Sequence, residues 1–243
     1  MAGYRRYRKE QESSYALGIT LTFEMLLHKA EYAKRVYVHS ACRKGEAYDR
    51  LEHMCHKLQV EMVHTDKIFH ILSQKENCFI IGEFRKFPPG LQGDASHVVL
   101  VNPSNGGNMG TIIRSALGFG IPRLSIIRPG VDIFDPKVVR ASMGAVFQTE
   151  YAYYDSFEEY RRENGGDKRN YYPFMLDAKK RLSEVEFGGC FSLIFGNEAT
   201  GLPEEYAQVG TSVIIPHSDK IDSLNLPVAV SIALYQAGIN GVK

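Results

Sequence analysis

Residues 191–236 constrain this chain most. They read FSLIFGNEATGLPEEYAQVGTSVIIPHSDKIDSLNLPVAVSIALYQ. Two apolar runs, 191–195 and 212–215, are too short for helices and read as buried strands. Each runs directly into a loop rich in Gly, Asn, Ser and Asp, and each loop leads into a helical pattern. Loops at the carboxyl ends of strands are where open α/β sheets bind ligands. The stretch therefore predicts an α/β fold with a ligand site built from two such loops, and the rest of the chain is read as completing that site or serving it.

The chain has 243 residues with 44% hydrophobic content, enough for two small domains or one large one. The segment 86–94, KFPPGLQGD, concentrates Pro and Gly and reads as an interdomain linker. This gives a first domain over residues 1–93 and a second over 94–243. Residues 1–93 hold 15 Lys and Arg against 11 Asp and Glu, a net charge of +4; the remainder holds 14 against 17, a net of −3. A mildly basic first domain suits an anionic partner and is equally compatible with plain solubility. No apolar segment approaches the roughly 20 residues that cross a bilayer, and no signal-like leader is present, so no membrane partner and a cytoplasmic location are expected. Cys42, Cys55, Cys78 and Cys190 are scattered without a C-x-x-C pair, which indicates neither a disulfide framework nor a zinc ribbon. His53, Cys55, His56 and His64 do not share one helix face and read as solvated residues, so no metal is expected.

Taken in order, residues 3–9 (GYRRYRK) interleave cations with Tyr4 and Tyr7, a pattern that suits either a phosphate-neutralising, base-stacking arm or a frayed terminus. Helical spacing over 21–33 and 46–58, strand-like runs at 36–38, 60–63 and 78–82, and a short helix from an Asp66 N-cap through Leu72 predict three αβ repeats in a compact α/β sandwich. The second domain opens with a strand at 97–101 and a glycine-rich turn, NPSNGGNMGTIIRSALGFG. Neither nucleotide fingerprint, G-x-x-x-x-G-K-[ST] or G-x-G-x-x-G, is present. A strand at 124–127 follows, then Asp135-Pro136 as N-cap and first helical residue. Ser156 with Glu159 marks a capping box for a helix ended by Gly165-Gly166. A further strand is read at 174–176 and a last helix at 228–240, with Pro227 at its start. Alternation of strand and helix predicts a largely parallel sheet.

Three segments then carry a specific likeness. N-x-G-x-x-x-R at 108–114, F-G-N-E-x-x-G-L at 195–202 and I-P-x(6)-S-L-N at 215–225 resemble, in order and each after a strand, the three motifs of the SpoU (TrmH) family of RNA 2′-O-ribose methyltransferases in the SPOUT class. The resemblance covers nearly all of residues 97–240. The first domain resembles, more loosely, the L30e-like substrate-binding domain attached to many family members that act on ribosomal RNA. The resemblance implies a SPOUT domain with a parallel sheet and a deep trefoil knot, a topology that general folding rules disfavour. It further implies a homodimer, an RNA substrate and S-adenosylmethionine as cofactor. Gly196, Asn197, Gly201, Ile215 and Leu224 become the expected cofactor-binding residues, Gly196 and Gly201 by allowing close backbone approach. Arg114, Asn108, Glu198, Ser223 and Asn225 become the expected catalytic set. Arg114 would pair with the phosphate beside the target ribose and stabilise the developing alkoxide, since a guanidinium is not readily deprotonated. Glu198 would orient Arg114 through a charge-assisted bond. Asn108, Ser223 and Asn225 would hold the motif loops and position the substrate.

His217 departs from the family pattern, which often has methionine there, and Leu226-Pro227 stands where a Val-Ser pair is common. The expected activity is methyl transfer to a ribose 2′-hydroxyl, in ribosomal RNA on the strength of the extra first domain. The alternatives are a transfer-RNA 2′-O-methyltransferase, methylation of a base or of another RNA by the same scaffold, and a noncatalytic RNA-binding or ribosome-assembly factor that kept the fold.

Overall fold

The computed structural model describes residues 6–72, 77–165 and 168–239. The chain divides into two compact units. The first comprises the described residues up to Pro88 together with Asp132–Gln148; the second comprises Pro89–Val131 and the described residues from Thr149 onward.

The first unit is built on a four-stranded mixed sheet of β1 (Ser13–Leu17), β2 (Ala33–Val38), β3 (Glu61–His64) and β4 (Ile80–Arg85), in the order β1-β4-β2-β3. β2 and β3 run parallel, and β4 is antiparallel to both of its neighbours. The helices are α1 (Ile19–His28), α2 (Glu46–Leu58) and α3 (Lys67–Leu72). α2 spans the residues its periodicity predicts and ends where Gln59 turns left-handed, at φ 58°. α1 stops earlier than its apolar spacing suggests, because Ala30–Tyr32 tightens into a 3₁₀ turn that feeds β2. β1 was not expected: five residues of SSYAL carry too little periodicity to stand out. Cys55 is buried on α2, and burial pushes its thiol up to about 11. Gly3, Tyr4 and Arg5 of the basic arm lie outside the described residues. Tyr7 is not free to stack on a base: its hydroxyl donates to Asp132, and the Lys86 ammonium lies 4.8 Å from its ring centroid and 2.9 Å from Asp132.

In the second unit the chain runs through β5 (His97–Val101), α4 (Gly106–Gly118) and β6 (Arg123–Ile127), then contributes α5 (Pro136–Ala141) to the first unit before returning. It continues through β7 (Glu150–Tyr154), α6 (Phe157–Glu163), β8 (Asn170–Pro173), β9 (Lys180–Arg181), β10 (Phe191–Phe195), β11 (Val213–Ile214) and α7 (Leu226–Ile239). Five strands form one sheet, β7-β6-β5-β10-β8, with every pairing parallel. β9 and β11 form a separate parallel pair. The expected strand at 174–176 is displaced: β8 ends at Pro173, and Phe174 makes an isolated bridge to Val213. Asn240, at the end of the expected last helix, and Gly166 of the expected helix stop lie outside the described residues. β10 is buried along its whole length, which explains why four of its five residues are apolar, Ser192 being the exception.

The division differs from the expected boundary after Gly93 in two ways. Gly90 pairs with Tyr151, and Arg169 donates to the carbonyls of Gly93 (2.5 Å) and Ala95 (2.7 Å), so the Pro- and Gly-rich segment is fastened into the second unit from Pro89 onward. Residues 132–148 join the first unit because Ile133, Phe134, Val138, Val139 and Phe147 are buried there. Phe134 packs 4.7 Å from Phe87, and Phe147 packs 5.1 Å from Phe84.

Under the second sheet lies a buried polar chain. Arg169 donates to Ser192 Oγ, Ser192 and Tyr160 share a 2.6 Å hydrogen bond, and Tyr160 lies 2.9 Å from His97 Nδ1. His97 Nε2 meets the Gln92 carbonyl at 2.8 Å, which requires hydrogen on Nε2 and leaves Nδ1 as acceptor. Burial first, and the Arg169 charge second, push this imidazole down to about 3 and keep it neutral. Among the described residues no helix is long and apolar enough to cross a membrane, and no group of His, Cys, Asp or Glu could hold a metal ion.

Candidate active site

The strand order sets the place of the site. From β5 the chain moves outward through β6 to β7, then returns to the other side of β5 with β10 and β8. β5 and β10 are therefore the neighbours at which the winding reverses, and the loops leaving their carboxyl ends diverge around a crevice. One loop leads into α4, whose first turn is capped by Asn105: its side-chain oxygen accepts from the backbone N–H groups of Gly107 (2.8 Å) and Asn108 (3.1 Å). The other is the Gly196–Leu202 loop.

Asn197 shapes that second loop. Its N–H and carbonyl exchange hydrogen bonds with Gly201 at 3.2 and 2.9 Å, its Oδ1 accepts from Ala199 N (2.9 Å) and Thr200 N (3.3 Å), and its Nδ2 donates to the Asn102 carbonyl at 2.7 Å. The side chain of Asn197 is thus occupied in closing the loop. The two glycines also have local reasons to be glycine. Gly201 sits at φ +68°, and a Cβ on Gly196 would lie 2.0 Å from the carbonyl carbon of Gly201.

Glu198 ties the two loops together. Its Oε2 accepts from Ser104 N (3.2 Å) and Ser104 Oγ (2.9 Å), and its Oε1 accepts from Asn105 N (3.2 Å) and Asn108 Nδ2 (3.1 Å). This overturns the expected pairing with Arg114. Carboxylate oxygens sit where backbone N–H groups converge at the start of α4, so the negative charge is satisfied by that helix entrance. Partial burial pushes the Glu198 carboxyl up, but hydrogen bonds from its own and the Ser104 backbone, with those from Asn108 and Ser104 side chains, outweigh it and hold the group below the usual carboxylate range. A carboxyl lowered on folding stabilises the fold above its unfolded pKa, and that contribution is lost as pH falls through the lowered folded value. Since one acceptor becomes a donor facing donors, Glu198→Gln should therefore be less stable than the parent at neutral pH, by about 1 kcal/mol or less because these hydrogen bonds are open to solvent. The gap should close as the solution is acidified. Denaturant unfolding of both proteins across pH checks this, and a gap independent of pH would contradict it.

Gly196, Asn197, Glu198, Gly201, Ile215, Ser223 and Leu224 all line one cavity of about 240 Å³. Asn108 reaches it through Glu198, whereas Arg114 and Asn225 are not among its lining residues. Asn225 starts α7, its carbonyl accepting from Val228 N and Ala229 N at 3.0 Å. Arg114 is exposed on α4 in line with Thr111 and Gly118, and among the described residues it makes no hydrogen bond or ion pair. The motifs supplied one ring of an aromatic wall, Phe195, and did not point to the rest of it. Phe174 and Phe195 stack at 4.3 Å with their planes 12° apart, and Met175 and Leu176 extend that wall. Phe195 opens the second motif, whereas 174–176 reads in the sequence only as a strand. Flat apolar surfaces beside backbone-rich polar loops suit a ligand with a planar ring system and a polar edge. The adenosyl part of S-adenosylmethionine has that chemistry.

The same helices present a further surface. Val230, Ala233, Leu234 and Ala237 form the buried side of α7, while Val228 (47% exposed), Ile232 (38%) and Tyr235 (56%) form an apolar outer side. A helix apolar all round is ordinarily covered on both sides.

Comparison with known proteins adds the following. The family model described as "SpoU rRNA Methylase family" matches residues 95–235. A 23S rRNA (adenosine(1067)-2′-O)-methyltransferase of Streptomyces laurentii is 33% identical over 135 residues, 54% of this chain and 49% of that protein; the chain thus spans about half of this relative. A Listeria innocua protein provisionally named a tRNA (cytidine(34)-2′-O)-methyltransferase is 31% identical over 148 residues, 58% of this chain and 86% of that protein. The structure of an AdoMet-bound rRNA methyltransferase from Sinorhizobium meliloti superposes with a TM-score of 0.77 at 25% identity, covering 95% of this chain and 88% of that one.

Proposed function

Because the chain belongs to the SpoU rRNA methylase family, S-adenosylmethionine-dependent RNA 2′-O-methyltransferases, we propose that the cavity at the ends of β5 and β10 is its cofactor site and that its substrate is a ribose of ribosomal RNA. The observation that carries this reading is the convergence of the second and third motif loops on one cavity, with Glu198 fastening the first motif to its edge.

S-adenosylmethionine, when bound, supplies the electrophilic methyl group. This chain's residues hold and orient the reactants and manage the hydroxyl proton. The 196–201 and 215–224 segments form the walls that position the cofactor. Glu198 keeps the entrance of α4 seated, which fixes the helix that presents Arg114. Arg114 contacts the phosphate next to the target ribose and stabilises the oxygen as it becomes an alkoxide; the proton leaves to solvent or to a phosphate oxygen, since the guanidinium cannot take it. Ser223, at the cavity, and Asn225, at the start of α7, position the ribose.

In the same reading the first unit is L30e-like and holds the RNA, the protein works in the cytoplasm, and the second unit carries the knotted SPOUT topology. A second copy covers the apolar outer side of α7. Ile232→Asp should then sediment as a monomer where the parent sediments as a dimer, and an unchanged mass would contradict that part. Maps of ribose methylation in ribosomal and transfer RNA from cells with and without the gene test the substrate. One ribosomal 2′-O-methyl should disappear; loss of a transfer-RNA site instead would move the assignment to transfer RNA.

A further inference from the structure

His217 is a half-buried residue of the third motif loop that lines the cavity. It also lines a neighbouring cavity of about 510 Å³ that shares Leu176 and Ile214 with the first. Its ring is held by one hydrogen bond, Nδ1 to the Ile215 carbonyl at 2.9 Å. A carbonyl oxygen only accepts, so Nδ1 carries hydrogen, and in the neutral imidazole Nε2 is then a bare lone pair. A residue lining the cavity thus carries an anchored acceptor that none of the roles above uses.

We propose that His217 is a further cofactor-contacting residue of this chain, its Nε2 accepting a hydrogen bond from an N–H donor of S-adenosylmethionine. This rests on the cavity being the cofactor site. The alternative role, a brace for the loop, needs only the Nδ1 hydrogen, which is present whether or not Nε2 is protonated. A contact through Nε2 behaves differently: protonation turns the acceptor into a donor and places a positive charge beside a ligand that is itself cationic. The charged side chains lining these cavities with His217 are Glu198 in the first and Lys179, Arg181, Asp219 and Asp222 in the adjoining one.

The test is calorimetric titration of the purified full chain with S-adenosylmethionine and S-adenosylhomocysteine across the range in which imidazoles titrate. Affinity of the parent should weaken about tenfold between about pH 8 and about pH 5.5, whereas His217→Met should bind more weakly at the upper end and show a flat profile. The same profile in His217→Met, or a flat one in the parent, would overturn the proposal; in the first case another group is responsible. Should His217→Met fail to fold, the parent still decides. The His217 ring-proton resonance, assigned with His217→Gln, should titrate at lower pH when the protein is saturated with S-adenosylhomocysteine, and an unmoved midpoint would overturn the contact. Failure of the parent to bind either molecule at any pH would instead remove the cofactor reading itself.

Discussion

Arg114→Ala is expected to lower the rate of methyl transfer about 10²–10³-fold, the size of effect seen when one preorganised donor to a developing oxyanion is removed. Affinity for S-adenosylmethionine and thermal stability should stay at parental values. The structure separates these readouts. Arg114 is exposed, makes no hydrogen bond or ion pair among the described residues, and is not among the cavity's lining residues, so its removal leaves nothing unsatisfied and takes nothing from the cofactor's walls. Arg114→Lys should recover part of the rate, since an ammonium keeps the charge and loses the two-pronged geometry toward phosphate. Single-turnover rates with saturating cofactor, beside cofactor titrations and melting curves, decide the matter. A loss of cofactor affinity equal to the loss of rate would make Arg114 a structural residue of the site, and an unchanged rate would remove it from the mechanism.

Gly196→Ala is expected to abolish cofactor binding and to destabilise the second unit by more than about 2 kcal/mol, at the upper end of what overpacking produces. The added Cβ would lie 2.0 Å from the carbonyl carbon of Gly201, 2.2 Å from its oxygen and 2.3 Å from Leu202 N. All three are backbone atoms, and relieving the contact means opening the hydrogen-bonded pair between Asn197 and Gly201. Gly201→Ala meets no neighbour within 4 Å, and its difficulty is the left-handed φ alone, about 1–2 kcal/mol. Gly196→Ala should therefore be clearly the worse of the two in denaturant unfolding and in cofactor titration. Equal effects would mean that the loop opens more readily than its hydrogen bonds imply.

What the sequence disclosed and what it hid follow from the range of the interactions. The strands β5 and β10 and the capped entrances to α5 and α6 are local patterns, read from apolar runs and turn residues a few positions apart; the three motifs were legible through their resemblance to the family. The partners of Glu198 are about 90 residues away in sequence, and the family resemblance, which sets Glu198 of one motif beside Arg114 of another, suggested an ion pair. In the folded chain the carboxylate instead meets the N–H groups of Ser104 and Asn105, which no side-chain identity announces. Gly196 and Gly201 were legible as glycines that matter, and the fold adds a reason the sequence did not show: each is also needed by the loop itself. The attachment of residues 132–148 to the first unit was hidden for a similar reason. Phe134 and Phe147 look like ordinary core residues, and only the fold reveals that their core is made with Phe84 and Phe87. Cutting the chain after Gly93 would consequently uncover apolar surface, and such a truncation is a poor way to isolate either unit.

The central claim is that this cavity, with Arg114, carries methyl groups to a ribose. The most direct measurement is incubation of the purified chain with methyl-labelled S-adenosylmethionine and unmodified ribosomal RNA, followed by digestion to nucleosides and identification of the labelled product. The account predicts label in a single 2′-O-methylnucleoside, appearing about 10²–10³-fold more slowly when Arg114→Ala replaces the parent. Label on a base, or tight cofactor binding by the parent with no label in any RNA, would contradict it.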